Sequence, residues 1–156
     1  MKRDIDTILE ALPYLVKPGY CDHSRSVATH EASHAVIILL NSNGQAPERV
    51  TLDPPMTYFR WDKLPAEIAA MVHMAGAAGQ ALHSGRYVFS EGDRENLYNT
   101  VSTHRMEYPI ILSLWKHTHA DLINNWPMVQ LIASALMREG TLKENYFKRF
   151  LKKIIQ

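Results

Sequence analysis

Apolar and polar residues recur along this chain mostly at helical spacing, with one short interruption of strand-like alternation. Residues 3–16 set Ile5, Ile8, Leu9, Leu12 and Leu15 on or near one helical face, which Pro13 limits. "KPGYCDHS" (17–24) reads as a loop, and Asp22, Ser24 or Ser26 would cap the helix that follows. That helix runs to Leu40, is apolar nearly all round, and stops at "NSNG" (41–44). "PERVTLD" (47–53) alternates as a short strand ended by Pro54 and Pro55, and "TYFRW" (57–61) returns as a second strand to make a hairpin. Residues 64–82 form the next helix, with Pro65 in its first turn, and small residues 75–79 suit close approach to another helix. After a loop at 83–92, helices are expected from about Asp93, over 107–123 and over 126–139. Thr141 and Glu144 stand in capping-box spacing ahead of a last amphipathic helix. The expected fold is mostly α, an α+β bundle with a small β element after the second helix, in a single domain over 1–156.

Composition narrows the function classes. With 46% hydrophobic and 21% charged residues, the chain resembles a folded protein rather than a disordered one. A net charge of +1 gives no field to attract nucleic acid or an anionic membrane, and neither partner is expected. No run reaches the about 18 apolar residues of a membrane span. Cys21 is the only cysteine, which excludes an intrachain disulfide and fits a reducing, cytoplasmic setting.

The second helix carries an anomaly in "VATHEASHAVIILL" (27–40): His30, Glu31 and His34 stand where packing favours methyl groups. Residues i and i+4 of a helix differ by about 40° around its axis, so the two imidazoles project together and can share one Zn²⁺. Glu31, about 100° from His30, sits beside such an ion and suits the general base of a metallopeptidase. A solvated polar stripe is the bland alternative, but the helix leaves little polar face for one. Polar groups in such surroundings need partners. A catalytic zinc needs a third protein ligand. Leu40 occupies the position of a third metzincin histidine, and spacing does not choose among Glu67, His73, His83, Glu91, Asp93 and Glu95.

The order of later elements resembles the peptidase domain of FtsH-type membrane AAA+ proteases. "HEASHAVIILL", "RVTLDP", "MAGAAGQALHSG" and "SEGDRENL" follow one another as that family's H-E-A-G-H helix, V-T-I-x-P strand, G-G-R-x-A-E-E helix and S-N-D-L turn do. "QLIASALMREGTL" resembles its closing segment, so the similarity spans about 25–150. The resemblance implies His30, His34 and Asp93 as ligands of one zinc ion per chain, with Glu31 as catalytic base. Ser33 replaces the family's glycine. Gln80 and Ala81 replace its paired glutamates, so the support those acids lend the site is expected to be lost. There is no G-x-x-x-x-G-K-[ST] loop, and the resemblance covers a peptidase part standing without ATPase or membrane segments.

The resulting expectation is a zinc metalloendopeptidase acting on unfolded or flexible protein segments, as a homo-oligomer or served by a separate ATPase. The alternative is a non-proteolytic zinc-binding adaptor or decoy that associates with an AAA+ protease. The strand from Arg49 to Asp53 would pair with extended substrate. Zinc should be lost below about pH 6, where imidazoles take protons. His73 and His83 read as core or loop histidines, His117 and His119 as surface residues, and Trp61, Trp115 and Trp126 as core or interface anchors.

Overall fold

A computed structural model of the protein describes residues 23–85 and 89–155. The expected helix at 3–16, Cys21 and Asp22 lie outside them. The described residues are mostly helical: α1 (His23–Asn41), α2 (Ala66–Ser84), α3 (Glu91–Thr103), α4 (Tyr108–Asn124), α5 (Trp126–Glu139) and α6 (Glu144–Ile155). Three short strands, β1 (Arg49–Leu52), β2 (Pro55–Tyr58) and β3 (Thr141–Lys143), form one antiparallel sheet in the order β2-β1-β3. No helix among them is long and apolar enough to cross a membrane.

α1 is the axis of the fold. Every residue from Ala28 to Leu39 is buried, because α2 and α5 pack along it and the sheet, α4 and α6 cover what remains. This explains why its sequence is apolar all round rather than striped. The buried hydroxyls of Thr29 and Ser33 are satisfied within the helix, Thr29 donating to the Arg25 carbonyl and Ser33 to that of Thr29. Ser24 and Ser26 lie inside α1, so neither caps it. The helix ends where Asn43 and Gly44 take positive φ values of 57° and 90°.

Small residues let α2 lie close against α1. A Cβ at Gly79 would stand 2.7 Å from that of Ser33 and closer still to its hydroxyl. A Cβ at Gly76 would intrude on the His30 ring, 2.6 Å from Cδ2 and nearer to Cε1 and Nε2. The serine that replaces the resembled family's glycine is thus accommodated by a glycine on the facing helix.

Two sequence expectations change at the sheet. Pro55 opens β2 rather than merely ending β1, and the hairpin pairs Val50 with Thr57 and Thr51 with Met56. The capping-box reading at Thr141 gives way to β3, which pairs Thr141 with Thr51 and Leu142 with Val50. Gly140, at φ 75°, makes the turn from α5 into β3, its N–H bonded to the Leu136 carbonyl at 2.8 Å. A three-residue strand is too short to show a period, and only its long-range partner makes it one. Since β1 is paired on both sides, Arg49–Asp53 has no free edge for a substrate strand. The edge next to the histidines is β2.

Candidate metal centre

Helix geometry brings His30 and His34 together with ring centroids 4.8 Å apart, both rings more than nine-tenths buried. Each Nδ1 has an acceptor: Gln80 Oε1 at 2.5 Å for His30 and the Val72 carbonyl at 2.6 Å for His34. With Nδ1–H donating to α2, each Nε2 is turned the other way, as in metal-binding histidines. Gln80 therefore supports the site at the position where loss of support was expected. Its amide oxygen is a neutral acceptor in place of a carboxylate.

Both Nε2 atoms meet Asp93, whose Oδ2 lies 2.7 Å from that of His30 and 3.1 Å from that of His34. Ser90 sets this up by capping α3 and accepting the Asp93 N–H at 3.1 Å. The carboxylate thus sits in the first turn of α3, where the positive end of the helix favours negative charge. Glu67, His83, Glu91 and Glu95 are exposed, whereas His73 is buried at the same cleft.

Glu31 is 5% exposed and accepts a hydrogen bond from Thr57 on β2, Thr57 Oγ1 to Oε2, at 2.7 Å. One ligand atom from each of His30, Glu31 and His34 lies within 4.8 Å of the others, so these three form a cluster able to hold a metal ion. Asp93 is nearer to both imidazoles than that grouping requires. In a tetrahedral site with bonds of about 2.0–2.1 Å, donor atoms stand about 3.3 Å apart. The separations of 2.7 and 3.1 Å need only a small opening to reach this, and the donor set fits a metal ion.

The electrostatics show what such an ion displaces. Burial pushes the His34 imidazole down, but Asp93, with smaller contributions from Glu31 and the Val72 carbonyl, outweighs it and raises the pKa to about 9. Burial likewise pushes Asp93 up, and His34 and His30 together outweigh it, holding the carboxyl well below the usual carboxylate range. The raised pKa of His34 contributes stability that is fully present below its unfolded value of 6.5 and lost as pH rises through 9. Asp93's contribution is present above 3.8 and lost as pH falls through its depressed value. The metal-free protein should therefore lose thermal stability between pH 6.5 and 9. Metal affinity should rise over the same window, about tenfold per pH unit while one proton is displaced. Thermal melts after chelator treatment and competition titrations at several pH values check both trends; flat profiles would contradict them. The window lies above the value near pH 6 expected from ordinary imidazoles.

The Gly76 contact adds another expectation. Gly76→Ala should destabilise the protein by about 1–3 kcal/mol, as overpacking does, and weaken metal binding, because the His30 ring is pinned by Gln80 and Asp93. Denaturant unfolding and chelator competition measure the two effects.

A cleft of about 600 Å³ opens on these groups. β2 contributes Pro55, Met56 and Thr57, Trp61 follows it, and Ser90, Gly92 and Asn96 come from the start of α3. Sequence reasoning missed the roles of Gln80, the Val72 carbonyl and Thr57, none of which belongs to a spaced motif. Other polar and aromatic residues serve structure. His119 packs edge-on against Trp115, Trp115 itself is 2% exposed, and His117 pairs with Asp121 at 3.4 Å on the surface. Comparison with protein-family models and with curated proteins finds no match for this chain.

Proposed function

We propose that the protein is a zinc-dependent metallopeptidase that hydrolyses peptide bonds in unfolded or flexible segments, with His30, His34 and Asp93 holding the ion and Glu31 as general base. The observation that carries this reading is the division of labour between two carboxylates. Asp93 faces both Nε2 atoms, while Glu31 stands to the side on the cleft and is oriented by Thr57. The ion, when bound, polarises the scissile carbonyl and makes water a better nucleophile. Glu31 takes the proton that the attacking water loses and passes it to the leaving amine. Extended peptide lies along β2, the sheet edge on the cleft, where main-chain pairing binds substrate with little demand on its sequence.

The succession of helix α1, hairpin, small-residue helix α2 and Asp93-bearing helix α3 supports an FtsH-like peptidase domain. Delivery of clients by a separate ATPase, or from within a homo-oligomer, belongs to the same reading. Protein purified without chelator should contain one zinc per chain and cleave casein. Chelation should stop cleavage, and zinc should restore it. Absence of zinc, or cleavage indifferent to chelation, would overturn the proposal.

One observation favours the second reading, a non-proteolytic zinc-binding adaptor. Glu31 is close enough to both histidines to serve as a ligand itself. An ion held by Glu31 as well as Asp93 would leave no free base.

A further inference from the structure

His73 is a buried polar side chain that neither the fold nor the metal centre uses. It is 7% exposed, lies on α2 and lines the same cleft as His30, Glu31 and His34. Its two ring nitrogens have no hydrogen-bond partner among the described residues, whereas His34 and His30 each engage both of theirs. Among the described residues the fully buried side-chain atom left without a partner is Ser102 Oγ, so the His73 nitrogens are not stranded in the interior but belong to the wall of the cleft. Nor is His73 among the residues that close on a metal ion. Its ring stacks on Trp61, with centroids 4.8 Å apart and planes 24° from parallel. Stacking covers a ring face and leaves the N–H, which lies in the ring plane, free to point along its edge. Trp61, three residues beyond the end of β2, lines the cleft together with that strand, so the stack flanks the path proposed for a peptide on β2.

We propose that His73 donates a hydrogen bond to the carbonyl oxygen of the scissile peptide as that oxygen becomes an anion, with Trp61 holding the ring in place. The inference rests on the peptidase reading above and adds the group that receives the developing charge. As the water oxygen bonds to the carbonyl carbon, the π pair moves onto the carbonyl oxygen and the water proton goes to Glu31. His73 keeps its proton and only shares it. Collapse of the tetrahedral species re-forms the carbonyl, breaks the C–N bond and sends the proton on Glu31 to the amine. A neutral imidazole suits the task, because it offers a donor without placing a second positive charge beside the metal.

Two substitutions separate the donor from the stack. His73→Phe keeps an aromatic ring against Trp61 and removes the N–H, while His73→Gln restores a neutral donor. In the zinc-loaded protein, His73→Phe should lower kcat by about 10²–10³-fold with little change in KM, zinc content or Tm, and His73→Gln should recover part of the loss. His73→Phe should also weaken binding of a phosphinic peptide, which mimics the tetrahedral state, by about 100-fold. Binding of the matching uncleaved peptide should change little. Unchanged kcat and unchanged phosphinic-peptide binding would overturn the proposal. Loss of zinc in both variants would also overturn it, by making His73 a support of the metal site. If wild-type protein cleaves nothing, the peptidase reading fails on its own, and phosphinic-peptide binding still decides whether His73 is the donor.

Discussion

Replacing Glu31 with glutamine should lower kcat on a flexible peptide by about 10²–10⁴-fold, the range for loss of a positioned general base, while one metal ion per chain remains bound. Glutamine keeps the size of the side chain and an oxygen able to accept from Thr57, but cannot take a proton from water at neutral pH. Metal retention is the informative half. If His30, His34 and Asp93 hold the ion, the substitution leaves the ligand set intact and only turnover falls. If Glu31 is itself a ligand, metal affinity falls with it and the adaptor reading gains. Steady-state kinetics and metal content on the same preparation separate the outcomes, and wild-type rates in Glu31→Gln would remove the residue from the mechanism.

The second large effect is expected at Asp93. Asp93→Ala should weaken metal binding by more than about 100-fold, the upper end for losing an outer partner of a metal ligand. The carboxylate is the anion that both Nε2 atoms face. Its removal also leaves His34, buried and raised to about pKa 9 largely by Asp93, without its main counter-charge. His34 should then titrate much lower, and the pH dependence of metal affinity between 6.5 and 9 should flatten. Asp93→Asn should show the same flattening with a smaller loss of affinity, because an amide oxygen can still coordinate without charge. Competition with a chelator across pH measures both. Unchanged affinity in Asp93→Ala would leave His30, Glu31 and His34 as the cluster that holds the ion.

Residues near one another in sequence were the easiest to interpret. His30, Glu31 and His34 share a single helix turn, so their juxtaposition follows from helical geometry alone. The helices other than α1 are marked by periodicity, α6 most clearly, and by punctuation such as Pro65, Gly85, Pro127 and Gly140. β3 escaped because three residues carry no period, and the expected substrate strand fell on the wrong side of the hairpin because strand order within a sheet is not encoded locally. His73 read as an ordinary core or loop histidine. What marks it out is its place in the cleft wall against Trp61 with no hydrogen-bond partner among the described residues, which becomes visible only in the packed structure.

By itself, then, the sequence determined the helical character of the chain and the local spacing of two imidazoles and a carboxylate on one buried helix. Tertiary structure alone decided which distant groups complete that helix's chemistry. Gln80 and the Val72 carbonyl orient the rings from α2, and Thr57 steadies Glu31 from the sheet edge; Asp93, which spacing left among six candidates and only the family resemblance named, approaches from the capped start of α3. Periodicity reports only what a residue's own backbone does with its side chain. A contact between groups 26 to 63 residues apart depends on how whole elements pack, and here that packing turns on two glycines that allow α2 to lie against α1.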